Sequence, residues 1–480
     1  MSPLFPALAT AGSAPALRFG DRALNYAELE SAATALAARI AGAGRVMLWA
    51  TPTAESAVAV IGALLAGIPV VPVNPKSGER ELAHIVGDSS PDLILAASGV
   101  PLPAPLSALP RVDIDIDAGH PEVRRFTEPD PETPALIIYT SGTTGPPKGV
   151  VLPRRAIRAS LDGLAQAWQW TAADVLVHAL PLFHVHGLVL GILGPLRRGG
   201  SVRHLGTFDV DGVARELRCG ATMFFGVPTM YHRLADAVAQ RPELAEALAG
   251  ARLLVSGSAA LAPRDYAAIS AATGRTIIER YGMTETLMNT SVRLDAAPRP
   301  GTVGVPLPGV DVRLAEEDGR VIAGHDGRTV GEIQVRGANL FTEYLGRPDA
   351  TAAAFDGDWF RTGDMGTLDA DGTLRIVGRK STDLIKSGGY KIGAGEIENV
   401  LLEHPGVAEA AVTGAPDNDL GERIVAWVVP VDPVHPPRTA ELADHVARRL
   451  APHKRPRTVH LLNSLPRNDM GKVVKTALRA

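Results

Sequence analysis

The feature that most constrains the fold of this chain is the regular alternation of short apolar segments with helical patterns. The apolar run 46–50 is followed by a helical pattern at 55–66 and by a second apolar run at 68–73. The rhythm continues through the segments LILAAS, ALIIYT, DVLVHAL, TMFFGV, RLLVS and TIIE. Such alternation is typical of parallel sheets covered by helices on both faces, so the sequence predicts an α/β fold. Asn25 is the predicted N-cap of the first helix.

The pattern changes after about residue 290. Residues 291–379 are rich in Gly and Pro and contain short β-like segments, and the pair Asp371-Gly372 indicates a hairpin. Beyond residue 379 a second α/β rhythm has helices at 396–403 and 440–450 and strands at 408–412 and 423–429. We therefore predict a large domain over residues 1–379, β-rich from about 291, and a small α+β domain over residues 380–480.

Composition excludes several classes of protein. The chain has 46% hydrophobic residues and a net charge of −4, which is far from the composition of disordered chains and from the basic surface of a general nucleic-acid binder. Cys219 is the only cysteine, which excludes an intramolecular disulfide. Glycines and prolines divide the most apolar stretch, and the N-terminal segment lacks the features of a signal peptide. We expect a cytoplasmic protein with no nucleic-acid partner and no membrane association.

The segment YTSGTTGPPKGV, residues 139–150, directly follows an apolar strand and predicts a phosphate-binding loop. Its glycines allow close approach of the backbone to an anion. Hydroxyl donors and the charge of Lys148 suit a polyphosphate. It is not the Walker pattern, because two prolines precede Lys148 and a glycine follows it. On the residues alone, the alternative is a solvated turn rich in Gly, Ser and Thr.

The string TSGTTGPPKG resembles the signature of the adenylate-forming superfamily, which comprises acyl-CoA synthetases, nonribosomal adenylation domains and luciferases. Further motifs agree in order along nearly the whole chain. They are PLFHVHG (181–187), VSGSAAL (255–261), ERYGMTET (279–286), RTGD (361–364), VGRKSTDLIKSGGYKI (from Val377) and PRNDMGK (ending at Lys472).

The resemblance implies two half-reactions. A carboxylate attacks the α-phosphate of Mg-ATP to give acyl-AMP and pyrophosphate, and the thiol of coenzyme A then displaces AMP. The implied catalytic residues are Lys148, Glu285 and Lys472, with Glu285 and Thr144 as ligands of Mg²⁺. A hard cation that keeps several waters needs only one or two protein oxygens. Lys472 is implied to stabilise negative charge during adenylation only, so the small domain must close over the large one, with Lys380 at the hinge.

The resemblance also assigns contacts residue by residue. Tyr281 is implied to flank the adenine, Asp364 to accept the ribose hydroxyls, and Arg379 to contact the ribose or a phosphate. The full set of implied ATP and AMP contacts is Thr140, Ser141, Gly142, Thr143, Thr144, Gly145, Lys148, Ser256, Gly257, Ser258, Glu279, Arg280, Tyr281, Gly282, Met283, Thr284, Asp364, Arg379 and Lys472. The implied coenzyme A contacts are Lys386, Ser387 and Gly388.

Within the superfamily the strings ERYGMTETLMNTS, LVSGSAAL, GVPTMYHRL and IKSGGYKIGAGEIE resemble malonyl-CoA synthetases, whose substrates are malonate and often methylmalonate. A dicarboxylate needs a cation for its second carboxylate, preferably a guanidinium. We predict that Arg233 supplies it; the alternative is that Arg233 is a surface arginine without this role. The other predicted acyl-pocket residues are His184, Val185, Ser256 and Met283. We expect poor discrimination between malonate and methylmalonate, because one methyl group is worth only about 1 to 3 kcal/mol.

Three other functions fit parts of this pattern. The same fold could activate another short, medium-chain or aromatic acid, or could load a carrier-protein thiol instead of coenzyme A. A nucleotide-binding regulatory protein without catalysis is disfavoured because Lys148, Glu285, Asp364 and Lys472 are all present. His184 and His186 do not indicate zinc, because their spacing lacks a third nearby ligand.

Overall fold

The structure, a computed structural model, describes residues 3–117, 126–140, 146–297, 299–380, 383–467 and 473–478 of the 480. The predicted residues Ser141, Gly142, Thr143, Thr144, Gly145 and Lys472 lie outside these ranges. Within them, no helix is long and apolar enough to cross a membrane.

The N-terminal elements alternate as predicted. Helix α1 begins with a capping box in which the Asn25 side chain accepts from the Glu28 N–H (2.9 Å) and the Glu28 carboxylate accepts from the Asn25 N–H (2.8 Å). The predicted N-cap is therefore confirmed. The elements are β1 (Pro15–Phe19), β2 (Arg22–Asn25), α1 (Tyr26–Ile40), β3 (Val46–Trp49), α2 (Ala54–Leu65), β4 (Val70–Val73), α3 (Glu79–Ser89), β5 (Leu93–Ala97), α4 (Ala104–Ser107), β6 (Arg111–Ile114) and β7 (Pro134–Thr140).

The next part of the chain continues the alternation and adds a π-helical segment, His186–Leu193. Its elements are β8 (Lys148–Pro153), α5 (Arg154–Trp168), β9 (Val175–His178), α6 (Gly194–Arg198), β10 (Ser201–His204), α7 (Val210–Arg218), β11 (Met223–Gly226), α8 (Pro228–Val238), α9 (Pro242–Gly250), β12 (Leu253–Ser256), α10 (Pro263–Thr273), β13 (Ile277–Met283), β14 (Leu287–Ser291) and β15 (Val305–Pro306).

The β-rich region then follows. Its elements are β16 (Val310–Ala315), β17 (Gly331–Gly337), β18 (Glu343–Tyr344), α11 (Pro348–Ala353), β19 (Phe355–Asp356), β20 (Trp359–Leu368) and β21 (Leu374–Arg379). The predicted hairpin is confirmed: β20 and β21 pair with Leu368 opposite Leu374, and Gly372 has φ of +81° in the connection. Strands β16, β17, β20 and β19 form one sheet in that order, with β21 on β20.

Two larger sheets are assembled from the described strands. One has the order β18-β8-β7-β4-β3-β5-β6, and the other has the order β15-β14-β13-β12-β11-β9-β10-β1-β2. Their central strands are parallel, and every residue of β3, β4, β11 and β12 is buried. Strands joined by short connections, such as β13 and β14, are instead antiparallel. The predicted α/β class of parallel sheets covered by helices is confirmed.

The C-terminal part has its own core, which includes Ile385, Ile397, Leu401 and Val428. Its elements are β22 (Leu384–Ser387), β23 (Tyr390–Gly393), α12 (Ala394–Leu402), β24 (Val407–Asp417), β25 (Gly421–Pro430), α13 (Thr439–Ala447) and β26 (Thr458–Leu461), with 3-10 turns at Pro452–Lys454 and Lys475–Ala477. The sheet order is β23-β22-β25-β24, with β26 on β25, so this region is α+β as predicted.

Candidate active site

The carboxyl ends of four neighbouring strands bring three of the sequence motifs together. Gly226 at the end of β11 lies opposite Ser256 at the end of β12, and Ser256 lies opposite Glu279 of β13. On the other side, Phe225 of β11 lies opposite His178 at the end of β9, just before the PLFHVHG motif. Ligands of such sheets bind beyond the carboxyl ends of the parallel strands. This edge is therefore the candidate active site.

Arg280 is a buried positive charge at this edge. It is 6% exposed, and among the described residues its Nε and Nη2 atoms have no hydrogen-bond partner. The guanidinium lies against Gly257: a Cβ atom there would come 2.4 Å from Arg280 Cζ. Burial lowers the pKa of Arg280 to about 10, so the group stays charged at neutral pH. An uncompensated buried charge is costly, and an anionic ligand would offset that cost.

Two further buried polar atoms close to this charge also lack partners within the described ranges. They are Ser256 Oγ and His186 Nε2. The other ring nitrogen of His186 lies 3.3 Å from Ser258 Oγ. Burial and the nearby Arg280 charge lower the pKa of His186 well below its usual range, and burial lowers that of His184 to about 4. Both imidazoles are therefore neutral at pH 7 and can act as hydrogen-bonding groups rather than as cations.

Asp364, Tyr281 and Arg379, which were predicted separately, meet in one cluster. The Tyr281 hydroxyl donates to Asp364 Oδ2 (2.7 Å), and Arg379 Nε lies 2.9 Å from Asp364 Oδ1. Asp364 and Arg379 face each other across β20 and β21. Burial raises the pKa of Tyr281 well above its usual range, so its hydroxyl remains a donor. The cluster presents a fixed, acceptor-only carboxylate, which suits a diol.

Glu285 forms a second cluster with Tyr344 and Lys148. The Tyr344 hydroxyl donates to Glu285 Oε1 (2.9 Å), and Lys148 Nζ lies 4.9 Å from the centroid of the Tyr344 ring. Burial raises the pKa of Glu285. A buried carboxylate that accepts from a neutral phenol fits a hard cation that takes its other ligands from phosphate and water. Sequence reasoning missed Tyr344, because it lies outside every motif.

The phosphate-loop segment joins two antiparallel strands. Thr140 ends β7 and lies opposite Lys148, the first residue of β8, while Ser141–Gly145 are outside the described residues. A Walker loop instead leads from a strand into a helix. The observed context therefore agrees with the prediction that this is a different kind of phosphate loop.

The remaining predicted residues lie at several places. Val185 is buried, Gly282, Met283 and Thr284 are half-buried, and Glu279 accepts from the Leu261 N–H (3.3 Å). Arg233 is exposed on α8, with its guanidinium 6.0 Å from the centroid of the Phe208 ring. Its contact with substrate stays a prediction.

The predicted hinge and coenzyme A residues contact the β-rich region in this arrangement. Lys380 Nζ lies 3.4 Å from Glu332 Oε2, and Lys386 Nζ lies 3.0 Å from Glu317 Oε1. Ser387 is buried, and Gly388 forms the turn between β22 and β23. The Lys386 ammonium is therefore engaged with a carboxylate here, and contact with coenzyme A would require it to leave Glu317.

Comparison with known families shows the family to which this chain belongs. The model of the AMP-binding enzyme matches residues 5–345, and the model of the AMP-binding enzyme C-terminal domain matches residues 396–472. The chain belongs to the AMP-binding enzyme family. A malonate–CoA ligase from Arabidopsis thaliana is 38% identical over 91% of this AMP-binding enzyme and 77% of the relative. The predicted resemblance to malonyl-CoA synthetases and the predicted class, an AMP-forming ligase, are confirmed.

Two solved structures differ in how well they superpose. A malonyl-CoA ligase in a ternary product complex with methylmalonyl-CoA and AMP is 67% identical, covers 96% of this chain and 100% of its own, and gives a TM-score of 0.76. ATP-bound MatB from Rhodopseudomonas palustris is only 33% identical. The match covers 99% of this chain and 98% of the MatB chain, and its TM-score is 0.90. The arrangement of this AMP-binding enzyme is therefore more similar to the ATP-bound structure.

Gly257→Ala tests the close packing on Arg280. The added methyl group would displace the guanidinium, and a displacement of about 1 Å lowers adenylation about 100-fold. We expect pyrophosphate release by the variant, measured at saturating ATP, to show this loss. Gly250→Ala is the matched control, because a Cβ atom at Gly250 meets nothing within 4 Å. Equal effects of the two substitutions would contradict the packing argument.

Tyr344→Phe tests the environment of Glu285. The hydroxyl favours the charged carboxylate, so its loss raises the pKa of Glu285 further. Protonation would then remove the cation-binding charge at a higher pH. The acidic limb of the pH profile of pyrophosphate release is expected to move to higher pH. Tyr390→Phe, at a 54% exposed ring, should leave the limb in place. An unmoved limb in Tyr344→Phe would refute this role.

Proposed function

We propose that this enzyme activates malonate, and also methylmalonate, and transfers the acyl group to coenzyme A. One carboxylate oxygen attacks the α-phosphorus of ATP, the bond to the β-phosphate breaks, and pyrophosphate leaves. The thiol of coenzyme A then attacks the acyl carbon, loses its proton and expels AMP. The structural observation that supports a dicarboxylate is the buried, uncompensated guanidinium of Arg280 beside Ser256 and His186.

Arg280 is therefore proposed as the partner of the second carboxylate rather than as a nucleotide contact. A guanidinium binds a carboxylate through two parallel hydrogen bonds, and both Nε and Nη2 have this capacity to spare. A monocarboxylate would leave the charge buried without a partner. Arg233 lies on the exposed face of α8, the helix that directly follows β11. We propose it as a second cation near the same strand ends.

The nucleotide residues have complementary roles in this proposal. Asp364 accepts the ribose hydroxyls, with Tyr281 and Arg379 holding it in place. Lys148 and the preceding loop bind the β- and γ-phosphates, which supplies charge neutralisation rather than covalent catalysis. Glu285, with Thr144, would hold Mg²⁺, which supplies further stabilisation of phosphate charge when bound. Lys472 stabilises the charge that develops during adenylation.

The change between half-reactions is proposed to occur at Lys380, which divides a large domain (1–379) from a small one (380–480). In the second arrangement Lys386, Ser387 and Gly388 would line the path of coenzyme A. The breaking of Lys386–Glu317 and Lys380–Glu332 would accompany that rotation. A cytoplasmic location is part of the same proposal.

A panel of acids tests the substrate. Purified enzyme is incubated with ATP, Mg²⁺ and coenzyme A, and AMP release is measured with malonate, methylmalonate, acetate, octanoate and benzoate. We expect release with the two dicarboxylates at rates within about 100-fold of each other, since one methyl group is worth about 1 to 3 kcal/mol. Release confined to monocarboxylates would overturn the proposed acid, and release that needs a carrier protein would overturn the proposed acceptor.

Matched arginine substitutions test the second-carboxylate site. Arg280→Met is expected to lower kcat/KM for malonate about 100-fold or more, because a buried carboxylate loses its partner. Arg233→Ala should lower it about threefold, since exposed charges contribute less than about 1 kcal/mol. Slow activity with acetate should be retained in both. A larger effect at Arg233 would reverse the assignment, and a rise in the KM for ATP alone at Arg280 would return that residue to the nucleotide.

A further inference from the structure

Lys475 binds two carboxylates close to the hinge. Its Nζ atom lies 2.5 Å from Asp383 Oδ1 and 2.6 Å from Glu398 Oε1. The three side chains are only 16%, 21% and 20% exposed. The cation belongs to the described segment 473–478, and its partners lie far away in sequence, just before β22 and in α12. This group of three charges therefore fixes the C-terminal segment to the beginning of the small domain.

Each carboxylate is itself fixed by the backbone. Glu398 Oε1 accepts from the Val412 N–H (2.7 Å) of β24, which ties it to the sheet of the small domain. Asp383 Oδ2 accepts from the Arg379 N–H (2.9 Å), on the other side of Lys380. The approach is close, because a Cβ atom at Gly378 would come 2.4 Å from Asp383 Cβ. Asp383 thus connects the two sides of the proposed hinge.

The contacts continue into the nucleotide cluster. The side chain of Arg379 contacts Asp364, the proposed ribose acceptor, while its backbone N–H donates to Asp383. Asp383 in turn contacts Lys475. Lys475 follows Lys472 by three residues, a separation that an extended chain spans with at most about 11 Å. A continuous set of contacts therefore leads from the ribose site to a residue next to the proposed mobile lysine.

We propose that Lys475 is a positioning residue for adenylation: by binding Asp383 and Glu398 within the small domain, it anchors the segment that directly follows Lys472, and Asp383 links that segment to Arg379 on the other side of the hinge. This inference rests on the proposed function, because it depends on the role proposed for Lys472 in adenylation. An ammonium is needed, since a neutral side chain of similar length would remove the charge that draws the two half-buried carboxylates together. Arginine could keep both contacts.

The test compares the two half-reactions in the full-length enzyme. Acyl-AMP formation is followed as pyrophosphate release without coenzyme A, and thioester formation is followed from supplied malonyl-AMP and coenzyme A. For Lys475→Met we expect adenylation at saturating ATP to fall about 10- to 100-fold, because Lys472 is misplaced, with the KM for ATP within about twofold. Thioester formation should stay within about threefold, and Lys475→Arg should restore adenylation to within about threefold of wild type.

Lys454→Met is the matched control. Lys454 also binds a carboxylate of α12, with Nζ 2.5 Å from Glu396 Oε2, but it lies in a different segment. The rates of both half-reactions in Lys454→Met should equal those of the wild-type enzyme. Equal loss of both half-reactions in Lys475→Met, or no selective loss, would overturn the proposal.

A second variant keeps the test usable if Lys475→Met does not fold. Glu398→Gln retains an acceptor for the Val412 N–H but weakens the binding of Lys475, so adenylation alone should fall about threefold to tenfold. No selective loss in Glu398→Gln would overturn the proposal. The wild-type acid panel is measured in parallel: if another acid supports pyrophosphate release, malonate is wrong as the substrate, and the Lys475 comparison proceeds with that acid.

Discussion

The site depends on one topological constraint: parallel strands that are neighbours in a sheet end at the same edge. Because β9, β11, β12 and β13 run in the same direction, the segments that follow them converge, although they are distant in the chain. This convergence places Ser256, Arg280 and His186 close together. Antiparallel β14 and the β-rich sheet then close the side of the site where Asp364 lies. The common direction of these strands therefore determines which residues can meet at the candidate site.

The candidate site also contains buried charged groups with few partners among the described residues. Arg280 is buried beside neutral imidazoles, and Glu285 is buried beside a neutral phenol. The arrangement at Arg280 raises the free energy of the unliganded protein, because its Nε and Nη2 atoms have no partner among the described residues, whereas the charge of Arg379 favours the ionised form of Glu285. Substrate and cation would supply those partners. A buried group whose partners would come from ligands is the pattern expected of a preorganised binding site.

The sequence was informative wherever local pattern decides structure. Asn25 and the Asp371-Gly372 hairpin were predictable because capping and turn formation involve residues a few positions apart. The motifs also predicted Asp364, Tyr281 and Glu285 as site residues, and their contacts with ligands stay predictions. Tyr344 and Lys475 were not predictable, because their partners are 59 and 92 residues away and only the tertiary fold brings them together. The two-residue turn at Gly388–Gly389 was not predicted, although a Gly-Gly pair is a clear local signal for a turn. Both glycines have positive φ.

Strand β18 has a consequence for how such a chain can be rearranged. It lies between β17 and β20 in sequence, yet it pairs with β8 in another sheet and brings Tyr344 to Glu285. The β-rich region is therefore not an independent module that could be exchanged as a unit between relatives. A graft that exchanged this whole region would also replace Tyr344, whose hydroxyl donates to Glu285 outside the region. Recombination in this family is thus expected to tolerate junctions near the hinge better than junctions on either side of β18.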